Sequence, residues 1–536
     1  MTEKAETATT GSDKAAGWVA LVGAGPGDAG LITVRGLDRL RSADVVVYDA
    51  LANPALLAEA KEGAELIDAG KRAKAHRLTQ DETNALLAEK ALAGQGVCRL
   101  KGGDPYLFGR GAEEAMYLAE RGVAVELVCG VTSGIAAPAA AGVPVTLRGV
   151  SSTVTFVTGH EDPTKGASSV DYAALGRLIE AGGTACIYMG VGRLGSISGT
   201  LLDAGVDSDM PVSVTQWGTT SRQRSVRGIL STILLDVERE GIGAPAIVVI
   251  GRVAGPIEGR TDEGVPPGLD WFVRRPLFGQ AVLVTRTRQQ ASQLSGRLTA
   301  LGAEVIEAPT IEIEPAADRS ALNAAVADIG SFDWLVLTSQ AGVEALAERL
   351  SVMGRDARSL ASVSFAAVGR ATAEALRARL GIAADLLPPD ANGEALAEAM
   401  LGAGVGAGTR CLLVRADIAR PGLPKRLIEA GAAVIEVEAY RTRPVSALPE
   451  RVIAALREGR VAWAAFTSGS TARNLAALLG DEAAACMRGV KVASIGPVTS
   501  EAVRACGWAV AVESVEASVG GLAEAIAEAE AGGAGG

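Results

Sequence analysis

From Trp18 onward the chain alternates short apolar runs with amphipathic stretches. Trp18 to Val22 is apolar, Gly23 to Asp28 reads Gly-Ala-Gly-Pro-Gly-Asp, and Leu31, Val34, Leu37 and Leu40 then recur at helical spacing. That pattern predicts a strand, a tight glycine turn and a helix, an arrangement that exposes backbone N–H groups to a ligand. Asp44–Asp49, Val97–Gly103 and Val123–Cys129 read as buried strands. A second set follows at Thr153–Gly159, Thr184–Gly190, Met210–Gly218 and Ala246–Val253. Strand-length runs separated by helical patterns predict an α/β fold of two lobes. Met1–Gly17 is polar and lacks an apolar core, so a disordered leader is expected there and not a signal peptide.

Residues 256–277 are rich in Gly, Pro and charge and predict a linker. Beyond it the chain repeats itself. Thr285–Pro315 resembles Val414–Pro444, Asp333–Gly342 resembles Ala462–Thr471, and Ala366–Leu376 resembles Ala493–Val503. Such a duplication predicts two similar α/β lobes. The stretches PTIEIEP and EVEAYRTRP alternate at the β period and are expected to form a two-stranded connector. One lobe would then be discontinuous, about 278–309 plus 444–528, and the other would run from about 314 to 439. Residues 529–536 are expected to form a flexible tail.

A chain of 536 residues is too long for one core. Its net charge of −11 argues against nucleic acid and anionic membranes as partners, though not against an anionic small molecule in a local basic cleft. No apolar run reaches membrane-spanning length. Six scattered Cys without a C-x-x-C and only two His disfavour a metal centre and fit a reducing, cytoplasmic setting.

The opening turn is a broken dinucleotide fingerprint. Gly23, Gly25 and Gly27 alternate, but Asp28 occupies the final Gly position of G-x-G-x-x-G. RLKGGDPYLFGRG (Arg99–Gly111) ends a strand in Gly102 and Gly103, which permit close backbone approach. Asp104 follows, placed either to accept from a ligand or to close a turn. Thr132 and Ser133, at another strand end, could bind a ligand or cap a helix. Asp49 ends its strand where ligands bind in open α/β sheets, and Lys71 follows in DAGKR. The two could serve as proton acceptor and donor, or form a solvated pair.

VGAGPGD, YDALAN, GKRAKAH, RLKGGDP, VTSGIAAPAAAGVPVT, IYMG, QWGTT and APAIVVIG occur here in the order found in uroporphyrinogen-III C-methyltransferases. Residues 18–255 therefore resemble that family, of the two-lobed tetrapyrrole methylase fold. The resemblance implies S-adenosyl-L-methionine as methyl donor, without a metal. It carries ligand contacts onto Pro26, Gly102, Gly103, Asp104, Leu107, Thr132, Ser133, Met189 and Gly218, proton acceptance onto Asp49 and proton donation onto Lys71. It implies two methylations of uroporphyrinogen III, at C2 and C7, giving precorrin-2 for siroheme or cobalamin, and a homodimer through this half. Arg35, Arg110, Arg148 and Arg222 are candidate anchors for the substrate carboxylates. Two departures stand out: Cys129 where many members carry Pro, and Leu147 where His is common. A later precorrin methylase is the competing assignment, which GKRAKAH and RLKGGDPYLFGRG disfavour. No dehydrogenase and chelatase module is expected before Trp18.

After the linker, hydroxyls recur at strand ends: Thr338 and Ser339, then Thr467 and Ser468. Each could bind carboxylates or cap a helix. VLVTR, DWLVLTS, AAVGRAT, LLVRAD, VEAYRT, AAFTSGS and ASIGPVTSEAV give residues 278–528 a resemblance to uroporphyrinogen-III synthase. That family closes hydroxymethylbilane to uroporphyrinogen III with loss of water and inversion of ring D. Tyr440 matches its recurrent tyrosine, as a group that assists departure of the hydroxyl or orients the chain. The two resemblances imply a bifunctional enzyme whose synthase product is its methyltransferase substrate. The alternative is an active methyltransferase with a non-catalytic tetrapyrrole-binding C-terminal half.

Overall fold

Four five-stranded sheets organise the described residues. The computed structural model describes residues 17–61, 63–70, 78–160, 170–256, 269–285 and 288–533. Lys71, nearly all of the expected leader, residues 257–268 of the expected linker and residues 534–536 of the expected tail lie outside them.

β1 (Trp18–Gly23), β2 (Val45–Tyr48), β3 (Glu65–Asp68), β4 (Gly96–Lys101) and β5 (Ala124–Val128) form a parallel sheet in the order β3-β2-β4-β1-β5. β1 and β4 lie inside the sheet and are buried almost throughout. Their near-continuous apolar sequences are what burial of both faces demands. β6 (Val154–Thr158), β7 (Thr184–Tyr188), β8 (Pro211–Gln216), β9 (Arg224–Ile229) and β10 (Ala246–Ile250) form a mixed sheet in the order β6-β7-β10-β8-β9. Only β6 and β7 run parallel; the other neighbours are antiparallel. β9 has no counterpart in the apolar pattern. It is an edge strand whose Arg224 and Arg227 interrupt the apolar alternation.

The remaining strands are β11 (Ala281–Val284), β12 (Glu304–Glu307), β13 (Ile311–Pro315), β14 (Trp334–Leu337), β15 (Ser364–Ala367), β16 (Arg410–Ala416), β17 (Ala433–Pro444), β18 (Trp463–Phe466), β19 (Lys491–Ser494) and β20 (Val510–Glu513). One sheet has the order β12-β11-β18-β19-β20 and the other β13-β17-β16-β14-β15. In the sequence repeat β11 and β12 correspond to β16 and the start of β17, and β14 and β15 correspond to β18 and β19. Each sheet therefore joins the first half of one copy to the second half of the other. The crossing strands are β13 and β17, antiparallel from Ile311 opposite Pro444 to Pro315 opposite Tyr440. They pair as the connector pattern requires, but as the edge of a five-stranded sheet.

The chain falls into two compact units: Met1–Val282 with Gly296–Val305 and Ala523–Gly536, and Leu283–Ser295 with Ile306–Leu522. That division cuts β11 and β12. The hydrogen-bonded sheet is the firmer boundary there, because breaking a buried ladder leaves unpaired backbone groups.

Candidate functional sites

Three strand ends of the parallel sheet meet at glycines. Gly25 and Gly103 exchange backbone hydrogen bonds, Gly103 N to Gly25 O at 2.7 Å and Gly25 N to Gly103 O at 3.3 Å. A Cβ on Gly23 would sit 2.5 Å from Gly130 Cα and 2.7 Å from Gly103 O. Only glycine fits this crossing. Pro26 is half-buried beside it. Asp28 accepts from Gly30 N–H at 2.8 Å, and its own N–H donates to Thr219 Oγ1 at 3.2 Å. The residue that breaks the dinucleotide fingerprint is thus a helix cap tied to the loop after β8.

Asp104 spends both carboxylate oxygens on backbone, accepting from Tyr106 N–H at 2.8 Å and Gly130 N–H at 3.0 Å. It closes a turn and pins the loop after β4 to the end of β5. Gly102 lies against Leu51, where a Cβ would come within 2.9 Å. Thr132 precedes the helix Ser133–Ala140 without capping it through its side chain. Its hydroxyl lies 2.5 Å from Tyr188 OH, which also accepts from Gly134 N–H at 2.7 Å. Tyr188 ends β7, so this contact joins the parallel sheet's loops to the mixed sheet. Burial pushes the Tyr188 phenol above its ordinary pKa, against the hydrogen bonds from Thr132 and Gly134. The phenol therefore stays protonated and able to share its hydrogen. Leu107 packs in the same apolar cluster as Tyr188.

Every non-glycine residue with positive φ among the described residues falls in this region: Phe108 (56°), Arg110 (58°), Met189 (54°), Trp217 (49°) and Thr219 (65°). Left-handed backbone is costly for such side chains and is a mark of functional loops. Met189 and Phe108 are exposed, and Gly218 sits between two of the strained residues against Ala137. Of the candidate anchors, Arg110 is bidentate to Glu113 at 3.0 and 2.6 Å, and Arg222 stacks 4.0 Å over the Trp217 ring. Arg35 and Arg148 are exposed.

Asp49, just past β2, accepts from Arg99 Nη2 at 2.6 Å. Arg99 also donates through Nε to Glu114 Oε1 (3.2 Å) and through Nη1 to Val47 O (3.3 Å). Lys101 Nζ reaches the same Glu114 oxygen at 2.8 Å. Arg99 and Lys101 are two apart on β4, hence on one face. Burial alone would pull the Arg99 guanidinium down, but the Asp49 and Glu114 carboxylates outweigh it and hold it above its usual range. For Lys101, burial and then the Arg99 charge win, and the ammonium is pulled down.

In the duplicated half, Tyr440 lies at a β-bulge. The β16–β17 register shifts between Arg415 and Ala416, so Ala416 pairs with Tyr440 and Ala439 is skipped. Bulges re-aim side chains, often beside functional sites. Tyr440 OH donates to Ser339 Oγ at 2.8 Å, and Ser339 also accepts from Gly342 N–H at 3.1 Å as the cap of the helix Gln340–Val352. Burial holds the Tyr440 phenol above its ordinary pKa. Asp417 braces the same strand, accepting from Thr442 N–H at 3.1 Å and Arg443 at 2.5 Å. Thr338 and Thr467 are half-buried at the ends of β14 and β18. Ser468, the counterpart of Ser339, makes no side-chain cap bond and lies 3.0 Å from Ser470 Oγ.

Tyr188, Arg99, Lys101 and Glu114 were not singled out by sequence. For Arg99 and Lys101 the signal was present: two cations two apart in a strand otherwise reading as buried. Among the described residues no group of His, Cys, Asp and Glu could hold a metal ion.

A two-lobed α/β half with glycine turns at its strand ends, followed by a bilobed duplicated half, defines a two-part enzyme architecture. The chain belongs to the family of the porphyrin biosynthesis protein HemD of Ruminiclostridium josui, to which it is 36% identical over 91% of its own length and 93% of that protein's. Residues 19–234 match the tetrapyrrole (corrin/porphyrin) methylases, and residues 292–524 match uroporphyrinogen-III synthase HemD. A uroporphyrinogen-III C-methyltransferase of Synechocystis is 52% identical over 44% of this chain and 89% of its own. The solved uroporphyrin-III C-methyl transferase from Thermus thermophilus, complexed with S-adenyl homocysteine, is 36% identical over 44% of this chain and 98% of its own, with a TM-score of 0.37.

Proposed function

We propose that the chain carries two successive tetrapyrrole reactions. The C-terminal half closes hydroxymethylbilane to uroporphyrinogen III with loss of water and inversion of ring D. The N-terminal half methylates that product at C2 and C7 to give precorrin-2. The observation that supports this most is that one relative spans both halves, each half matching its own family model. The domain limits that go with it are 18–255 and 278–528, and the setting is a cytoplasmic homodimer joined through the methyltransferase half. No helix of the described residues is long and apolar enough to cross a membrane.

The glycine turns fit S-adenosylmethionine. Gly103 sits at φ 69°, and the nearest atom to a Cβ built on it is Ser133 N at 3.9 Å, so the backbone can be approached from that side. Pro26, Gly102, Gly103, Asp104, Leu107, Thr132, Ser133, Met189 and Gly218 would hold it, Asp104 and Thr132 through their backbone, because their side chains are committed to Tyr106 and Gly130 N–H and to Tyr188. Bound there, it supplies an electrophilic methyl group. Asp49 takes the proton that leaves the macrocycle after carbon attack, one for each methyl group received, and Lys71 is the proton donor that the resemblance pairs with it. Positioning of the attacking carbon supplies much of the rate. In the synthase half Tyr440, held protonated by burial, donates a hydrogen toward the departing hydroxyl. Thr338, Ser339, Thr467 and Ser468 offer hydroxyls and backbone N–H groups to the substrate carboxylates. Incubating the chain with uroporphyrinogen III and methyl-labelled S-adenosylmethionine tests the first half: label in precorrin-2 is expected, and a macrocycle without label rejects it.

A further inference from the structure

Glu114 is fully buried on the helix Gly111–Ala119, which follows the glycine turn after β4. Its Oε1 gathers Lys101 Nζ at 2.8 Å, Arg99 Nε at 3.2 Å and Gln80 Nε2 at 3.2 Å. Its Oε2 is buried with no hydrogen-bond partner among the described residues. Arg99 is held on three sides, by Glu114, by Val47 O and by Asp49. Asp49 alone of the four charged groups reaches toward solvent, its side chain a third exposed while the other three are buried.

A network bought for stability would not look like this. Buried ion groups contribute little over well-packed apolar residues, and a buried carboxylate oxygen without a partner among the described residues adds to the cost. Such violations are retained where function needs them. The direction of the network is also informative. A guanidinium is a rigid planar fork. With Nε and Nη1 fixed inside, Arg99 cannot turn, so Nη2 fixes Asp49 Oδ1 while the Asp49 side chain stays a third exposed. Glu114 holds the inner edge of that fork, and Lys101 and Gln80 hold Glu114.

We propose that Glu114 is a positioning residue for methyl transfer, acting through Arg99 to orient the Asp49 carboxylate that receives the substrate proton. Arg99 is the rigid link, and Lys101 balances the charge of Glu114 inside the sheet. This rests on the methyltransferase reading above, and wild-type label transfer decides that reading separately.

The test uses the full chain with Glu114→Gln and Arg99→Lys. Gln keeps the size of Glu114 but not its charge; Lys keeps the charge of Arg99 but not its fork. Three readouts are taken: kcat and KM for both substrates, the affinity for S-adenosylhomocysteine by calorimetry, and the melting transition. Each variant is expected to lose at least tenfold in kcat for methyl transfer. The KM for S-adenosylmethionine and the affinity for its by-product should stay within about twofold, and melting should stay cooperative. A purely structural role would move affinity and rate together. A folded E114Q or R99K with kcat within twofold of wild type overturns the proposal. So does loss of cooperative melting in both variants, which would assign the network to folding alone.

Discussion

At the scale of single residues, hydroxyls and charges already committed inside the protein decide what the others are free to do. Tyr188 takes Thr132 and Gly134 N–H, so the threonine expected to bind or cap spends its hydroxyl on the opposite lobe. Tyr188→Phe would leave a buried N–H and a buried hydroxyl unpaired, which costs about 1–3 kcal/mol. Denaturant titration should read that loss, with the Phe ring preserving the packing on Phe108 and Phe156. Asp49→Asn is expected to slow methyl transfer by about 10²- to 10⁴-fold, the usual worth of a positioned proton acceptor, while formation of the III isomer is unchanged. Burial raises Tyr188 and Tyr440 above the free phenol value of 10.0. Each therefore binds its proton more tightly folded than unfolded, so each leaves stability unaffected below that value and erodes it as pH rises past it. Unfolding free energy measured against pH should fall at the alkaline end, and less so in Tyr188→Phe. Charge commitments were the least legible from sequence. Glu113 and Glu114 are neighbours in one helix, and nothing in the order of residues says that Glu114 alone turns inward onto Arg99 and Lys101.

Among elements, the central parallel strands were readable because burial of both faces forces unbroken apolar runs, as in β1 and β4; β5 also reads as buried, but it is an edge strand in which only Val128 is fully buried. β3 and β9 escaped the pattern because edge strands carry charge: Glu65 and Asp68 in one, Arg224 and Arg227 in the other. The glycine turn was readable as a ligand-type turn but not as a triple crossing, since the partners Gly103 and Gly130 lie far away in sequence. Gly130→Ala tests the crossing. The added methyl would fall inside contact distance of Gly103 O and 2.7 Å from Gly23 Cα, so it should destabilise that half by about 1–3 kcal/mol as an overpacked site. Methyl transfer should fall with it. The duplicated helices offer an internal control. Ser339 both caps its helix and receives Tyr440, whereas Ser468 makes no side-chain cap bond. Ser339→Ala should cost about 1 kcal/mol more than Ser468→Ala, a difference readable as separate shifts in melting temperature.

For the whole molecule, the repeat was legible as a duplication, and the two alternating β-period stretches pointed to a connector. The structure adds the physical consequence. Because β13 and β17 cross between halves of the repeat, neither copy builds a sheet alone; each sheet borrows two strands from the other copy. A chain truncated between β15 and β16 should therefore lose III-isomer formation entirely and not retain half of it. If one chain performs closure and then methylation, both steps are visible in one reaction: the purified chain is supplied with hydroxymethylbilane and methyl-labelled S-adenosylmethionine, and the products are resolved by isomer and label. Type III macrocycle carrying two labelled methyl groups is the expected product. Only the spontaneous type I isomer, or type III without label, would contradict it.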